Sequence, residues 1–146
     1  MKQVSIFIVT STRSPGKTKK AWYRYMMYCD GHNIDKKQQV LATTGHRLVL
    51  ECAIAALKRM TKPSMITFFT DCHYFANGQR QLASWRENGW KRSDGKELRN
   101  LDLWQQLEEL LRPHAVSFQM ENMELYKSPD ETPWSYAKWA VAALWG

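Results

Sequence analysis

The chain has 146 residues, a length that fits one domain able to bury its own hydrophobic core. Hydrophobic residues make up 44% of it and charged residues 24%, a balance that excludes an intrinsically disordered chain. The 21 Lys and Arg against 14 Asp and Glu give a formal net charge of +7, which favours polyanionic partners without identifying one.

The cysteines and the N-terminus indicate the compartment. Cys29, Cys52 and Cys72 form no C-x-x-C pair, so we expect buried free thiols rather than disulfides or a zinc site. The N-terminal apolar run is interrupted by Ser5 and has no small-residue cleavage site, which argues against a signal peptide. No stretch approaches the length that spans a bilayer. We therefore expect a cytoplasmic protein with no membrane segment.

The first third of the chain predicts three antiparallel strands. Val4–Val9 is a β-branched and aromatic run that ends at a turn-like segment, and Ala21–Cys29 is a second, aromatic-rich run. The turn residues Asp30–Asn33 then lead to a returning strand at Lys37–Ala42. Short connections between successive strands are typical of an antiparallel meander.

The remainder alternates helices and strands. Thr44–Met60 has apolar residues at helical spacing and is followed by Pro63, which we expect to end the helix. Met65–Thr70 is a continuous apolar run typical of a buried central strand. The remaining elements are predicted as helices at His73–Trp85, Asn100–Leu111 and Trp134–Trp145 and a strand at Ala115–Met120. The order β-β-β-α-β-α-α-β-α predicts one α/β domain over residues 1–146, with helices on the faces of one mixed sheet.

Several segments resemble type 1 ribonuclease H, in the same order along the chain. TDCHYF at Thr70–Phe75 is similar to that family's T-D-S-x-Y-V strand end, and WRENGWK is similar to its W-x-x-x-G-W-K. KELRNLDLW at Lys96–Trp104 resembles its V-K-N-x-D-L-W, while KQVSIF, the SPG turn and TTGHRLVL resemble its first strand, first turn and first helix. The resemblance implies a ribonuclease-H-like fold: a five-stranded mixed sheet, three antiparallel strands and then parallel strands, flanked by helices.

The resemblance also implies a chemistry that this chain is poorly equipped to perform. The family cleaves the RNA strand of an RNA–DNA hybrid with two divalent ions held by about four carboxylates. Here Asp71 is the one acid retained, because the other positions hold Val9, Val49 and Ala137, or Lys138 after a small shift. One carboxylate cannot hold two hard cations. We therefore expect no cofactor, with Mg²⁺ or Mn²⁺ needed only if activity persists, and an Asp71 that either serves the site or caps the next helix.

The resemblance further implies a nucleic-acid-binding surface. The basic, tryptophan-bearing segment is similar to the family's substrate-handling protrusion, and an aromatic amid Lys and Arg suits a sugar–phosphate backbone. The alternative is a solvated loop held by tryptophan packing. The candidate contacts are Trp85, Trp90, Lys91, Arg92, Arg99, His46 and Lys17.

Three functions stay open from the sequence. The favoured one is a binding module for an RNA–DNA hybrid or duplex with impaired or absent hydrolysis. The second is an active hybrid ribonuclease in which Asp71 acts with one or more other acids around a divalent ion: Glu51, Glu121, Glu124 or Asp130. The third is a protein-interaction or scaffold domain, since seven tryptophans and six tyrosines suit an interface as readily as a core.

Overall fold

A five-stranded mixed sheet forms the centre of the computed structural model, which describes residues 1–135. The strands are β1 Lys2–Thr10, β2 Thr18–Cys29, β3 His32–Thr43, β4 Ser64–Thr70 and β5 Ala115–Met120. They lie in the order β3-β2-β1-β4-β5. β2 is antiparallel to β1 and β3, whereas β4 is parallel to β1 and β5. The predicted ribonuclease-H-like α/β sheet is confirmed.

The helices follow the predicted order. They are α1 Gly45–Leu57, α2 His73–Glu87 and α3 Leu101–Leu111, followed by 3₁₀ turns at Glu124–Lys127 and Pro133–Ser135. Apart from Trp134 and Ser135, the predicted helix Trp134–Trp145 lies outside the described residues. Within residues 1–135, no helix is long and apolar enough to cross a bilayer.

The β2–β3 hairpin is tighter than the sequence predicts. Its turn consists of Asp30 and Gly31 alone, with φ angles of 50° and 79°. Positive φ at both central residues matches the twist of two-residue hairpins, so the ladder closes immediately beyond the turn. β3 therefore begins at His32 rather than Lys37, and its predicted start was wrong. β2 likewise begins at Thr18, which places Lys19 and Lys20 on a strand.

Helix α1 is shorter than predicted at its C-terminal end. Thr44 caps its first turn, because the Thr44 hydroxyl accepts a hydrogen bond from the Arg47 N–H at 3.3 Å. At the other end, the N–H groups of Arg59 and Met60 donate to carbonyls three residues back, a tightened turn that closes the helix. The helix thus ends before Pro63 and does not need the proline to stop it.

The sheet buries residues on both of its faces. Along β1, Ile6 and Ile8 belong to the main core with α1 and α3, whereas Phe7 and Val9 belong to a second apolar cluster with Met26 and Met123. Alternate residues of a strand point to opposite faces, so a strand buried on both sides is apolar throughout. Because β1 and β4 are parallel neighbours, their carboxyl ends meet at one edge of the sheet. The site lies at that edge.

Candidate functional site

Asp71 lies directly beyond β4, at the carboxyl edge of the sheet. Its Oδ2 atom accepts a hydrogen bond from the Met123 N–H at 3.1 Å and forms an ion pair with the Arg13 guanidinium. The N-cap of α2 is Cys72 rather than Asp71, and the Cys72 side chain forms no capping hydrogen bond. The interpretation of Asp71 as a helix cap was therefore wrong. Its carboxylate instead connects the segment after β1 with the segment after β5.

Arg13 reaches Asp71 because the loop that carries it is held at both ends. Ser11 exchanges hydrogen bonds with Trp22, and the Gly45 N–H donates to the Ser14 carbonyl at 2.8 Å. Gly45 permits this close approach, since a Cβ there would lie 2.5 Å from the backbone of Arg13. Sequence reasoning missed Arg13, because a basic residue in a turn carries no signal for an ion pair formed across the fold.

The two described positions that the resemblance aligns with further family acids are apolar and buried. Val9 is 1% exposed within the second cluster, and Val49 is 3% exposed within the main core. Ala137 lies outside the described residues. No group of three or more His, Cys, Asp or Glu is placed to hold a metal ion within residues 1–135. The described residues therefore do not fit a pair of divalent ions.

A cavity of about 470 Å³ opens beside Asp71. Its lining includes Glu121 and Glu124, two of the acids considered for a rebuilt site, and Glu124 Oε2 lies 3.1 Å from Lys127 Nζ. The remaining lining residues are Arg13, His73, Met120 and Asn122. Asp130 is exposed and does not line this cavity. The structure brings Asp71, Glu121 and Glu124 to one cavity, but their carboxylates are not placed to bind one metal ion together.

Glu51 lies elsewhere, on α1. It is half-buried, and its Oε1 atom is 3.9 Å from Arg47 Nε. Burial raises the pKa of the Glu51 carboxyl, and the nearby Arg47 charge opposes that rise. Glu51 does not line the Asp71 cavity, and it follows Val49 by two residues, which places the two side chains about 200° apart around the helix.

A buried arginine fixes the segment that directly follows the residues lining the cavity. The Arg24 side chain is 4% exposed and forms a two-point ion pair with Asp35, at 2.8 and 2.6 Å. It also donates to four carbonyls of the segment that follows the cavity: those of Tyr126, Ser128, Pro129 and Glu131. A guanidinium carries five N–H donors in one plane and can bind Asp35 and these carbonyls at once, whereas the ammonium of a lysine could not. Sequence reasoning also missed this residue.

His46 belongs to an aromatic network at the start of α1. Its ring stacks on Tyr74 with centroids 3.9 Å apart, and the Tyr74 hydroxyl accepts hydrogen bonds from Trp104 Nε1 and Asn100 Nδ2 at 2.9 and 3.0 Å. Partial burial, followed by the charge of Arg99, lowers the pKa of His46. A neutral ring at pH 7 offers a nucleic acid a stacking face and hydrogen bonds rather than a charge.

The two candidate tryptophans are partly packed. Trp85 meets Trp104 edge-to-face at 5.4 Å, and the Trp90 N–H donates to the Trp85 carbonyl at 2.7 Å. Both rings are half-buried against the main core. Lys91 and Arg92 are exposed on the same segment, and Arg92 Nη2 lies 3.1 Å from Asp94 Oδ2. The segment from Trp85 to Arg92, which we call the protrusion, thus has tryptophans packed against the core and basic side chains exposed to solvent.

The other two candidates are separate from the protrusion. Arg99 is exposed and close enough to His46 to influence its pKa, whereas Lys17 is exposed in the loop before β2. The structure therefore groups the seven candidates as a protrusion, a His46–Arg99 pair and an isolated lysine.

An acid at the end of β4 in a β3-β2-β1-β4-β5 sheet defines a ribonuclease-H-like domain, and residues 1–120 match the RNase H family model. The chain belongs to the ribonuclease H family. It is 32% identical over 120 residues to Ribonuclease H of Nitratidesulfovibrio vulgaris, an alignment covering 81% of this chain and 77% of that one.

Two solved structures share the fold. LC9-RNase H1, described as a type 1 RNase H with the type 2 active-site motif, is 24% identical with a TM-score of 0.62, over 82% of this chain and 62% of that one. LC11-RNase H1, solved in complex with an RNA/DNA hybrid, is 15% identical with a TM-score of 0.51, over 80% and 83% of the two chains.

Proposed function

We propose that this chain is a nucleic-acid-binding ribonuclease H domain that holds an RNA–DNA hybrid or duplex and has impaired or absent two-metal hydrolysis. Membership of the family and the hybrid bound by LC11-RNase H1 support the class of ligand. The net charge of +7 supports a polyanionic partner.

The observation that best supports impaired or absent hydrolysis is the ion pair between Arg13 and Asp71. A guanidinium neutralises the carboxylate that a divalent ion would require, and the Met123 N–H donates to the same Oδ2 atom. A metal ion bound at Oδ2 would have to displace both partners, and Val9 and Val49 offer it no ligand atom in return. The arrangement supports an Asp71 that joins two segments of the chain rather than a ligand to metal.

Binding is tested by titrating a fluorescent RNA–DNA hybrid over a range of salt concentrations. If the four basic candidates each neutralise one phosphate, log K should fall against log salt with a slope of about −3 to −4. The variant Lys91→Ala/Arg92→Ala should weaken binding and reduce the slope by about 2. The control Lys58→Ala/Arg59→Ala removes the same charge from exposed residues just beyond α1 and should change little. An undetectable affinity at low salt, or a flat salt response, would refute the proposal.

The second candidate function is an active hybrid ribonuclease with a rebuilt site. The observation that favours it is the shared cavity of Asp71, Glu121 and Glu124. A cleavage assay with Mg²⁺ or Mn²⁺ separates the two functions. We expect no cleavage above the metal-free background. Metal-dependent cleavage that is abolished by Asp71→Asn, but retained in the exposed-acid control Glu109→Gln, would establish the rebuilt site and overturn the loss of hydrolysis.

A further inference from the structure

A basic groove with an aromatic floor lies on the sheet face opposite α1. Trp22 of β2 packs against the second apolar cluster, and Lys37 of β3 places its Nζ atom 4.2 Å from the centroid of the Trp22 ring. The register pairs Trp22 with Gln39 and Arg24 with Lys37, so these four side chains share one face. None of the candidate contacts named from the sequence belongs to this groove.

Two adjoining cavities, of about 370 and 190 Å³, share Trp22 and Lys37 and so form one groove. Lys20 lines the larger cavity, and Lys127 lines the smaller. Lys20 and Lys37 form no ion pair within residues 1–135, while Lys127 is paired with Glu124 and Arg24 with Asp35. The groove therefore carries two uncompensated positive charges beside one indole.

This chemistry suits a single-stranded nucleic acid. Successive bases of a single strand can stack on an aromatic ring while lysines meet the phosphates, and each stacked base contributes about 1–3 kcal/mol. In a duplex the bases stack on one another and are not free to cover an indole. A base entering the groove would replace the Lys37 ammonium over the Trp22 ring and leave that ammonium free to meet a phosphate.

The groove begins at the edge of the sheet that carries Asp71. Trp22 is hydrogen-bonded to Ser11, two residues before the Arg13 that pairs with Asp71. At its other end, Lys127 belongs to the segment whose earlier residues line the Asp71 cavity. The groove and the Asp71 edge therefore adjoin, so a strand that leaves one can continue into the other.

We propose that the groove between Trp22 and Lys37 binds the single-stranded RNA or DNA that extends from a hybrid held at the Asp71 edge. This inference rests on the proposed function and assigns a second, distinct nucleic-acid site. It predicts that the domain prefers a junction between hybrid and single strand to a blunt hybrid.

The experiment compares a blunt hybrid with the same hybrid carrying a single-stranded extension of about eight nucleotides, within the site size of one stacking platform. The wild-type chain should bind the extended hybrid at least about 10-fold more tightly, as expected for one or two stacked bases and two phosphate contacts. The variant Lys20→Ala/Lys37→Ala should lose most of this gain and bind the blunt hybrid as the wild type does.

The matched control is Lys19→Ala/Lys36→Ala. These exposed lysines each precede a groove lysine on the same strand, so they point to the other face of the sheet and remove the same charge. The control should keep the gain from the extension. An equal loss in both double variants, or no gain in the wild type, would overturn the inference.

A second readout does not depend on lysine substitutions. An extension that carries 4-thiouridine should photo-crosslink to the peptide containing Trp22, and crosslinks confined to other peptides would overturn the inference. Failure of the wild type to bind the blunt hybrid would refute the proposed function instead. In that case, binding of the single strand alone, together with the Trp22 crosslink, would still test the groove.

Discussion

Replacing Arg24 by alanine should strongly destabilise the segment that follows the residues lining the Asp71 cavity. The side chain makes six hydrogen bonds, two to Asp35 and four to main-chain carbonyls between Tyr126 and Glu131. Removing one partner of a buried charge pair costs about 3–5 kcal/mol. A sum over six bonds to a charged donor would be larger, but Asp35 is 35% exposed and can be rehydrated when Arg24 is lost.

The free energy of unfolding, measured by urea titration, should therefore fall by about 3–5 kcal/mol in Arg24→Ala. Arg24→Lys should lie between the wild type and Arg24→Ala, because an ammonium keeps the charge but cannot span Asp35 and four carbonyls at once. The control Arg80→Ala removes an exposed arginine that is hydrogen-bonded to Asn77, and should change stability by less than about 0.5 kcal/mol.

Hydrogen exchange adds a local readout. Amides of the segment from Met123 to Glu131 should lose protection in Arg24→Ala before the core of β1 and β4 does, because Arg24 is a tie between that segment and the sheet. A loss of stability below about 1 kcal/mol, with unchanged exchange in this segment, would refute the reasoning.

Three further predictions concern packing and pH. Gly45→Ala should displace the loop that carries Arg13, because a Cβ there would lie 2.5 Å from the Arg13 backbone. The free energy of unfolding measured in urea should fall by about 1–3 kcal/mol, whereas the exposed control Lys17→Ala should leave it unchanged. Gly78→Ala should cost a similar amount, since its Cβ would overlap the buried Trp104 ring, and a crystal structure showing that ring unmoved would contradict this expectation. His114 Nδ1 accepts a hydrogen bond from the Ser64 N–H at 3.1 Å, and burial lowers the pKa of His114. In the unfolded chain this histidine has its ordinary pKa of about 6.5, so just below pH 6.5 the unfolded chain binds a proton that the folded chain does not. The free energy of unfolding should therefore decrease as the pH falls below about 6.5, by at most about 1.4 kcal/mol per pH unit from this group. The difference in this free energy between the wild type and His114→Asn should shrink over that range and be independent of pH above about 7.5.

The fold could be predicted because its signals are local. The apolar run Met65–Thr70 and the helical spacing after Thr44 identified a strand and a helix that the structure contains. The errors of prediction lie at the ends of strands and helices, because hydrogen bonds in the turns set where each element begins or ends. The start of β3 depended on two residues adopting positive φ at Asp30 and Gly31, which a four-residue turn signal does not resolve.

The site could be predicted only where one residue carries the information. Asp71 was found because TDCHYF resembles a family motif at the end of a buried strand, and the two valines were identified by comparing positions with the same family pattern. Arg13 and Arg24 were missed because each acts through partners more than ten residues away in sequence. Spacing rules describe neighbours on one element, and they contain nothing about an arginine whose partners belong to another segment.

Arg13 and the two valines support one physical account of the site. Val9 and Val49, which the resemblance aligns with family acids, belong to apolar packing, so an acid placed at either position would be buried where nothing solvates it. The remaining acid, Asp71, would then face solvent with no cation, and Arg13 supplies one. Restoring hydrolysis should therefore require both new acids and removal of the Arg13 charge. The single substitution Val9→Asp should destabilise the chain without producing metal-dependent cleavage, and cleavage by that single variant would contradict this account.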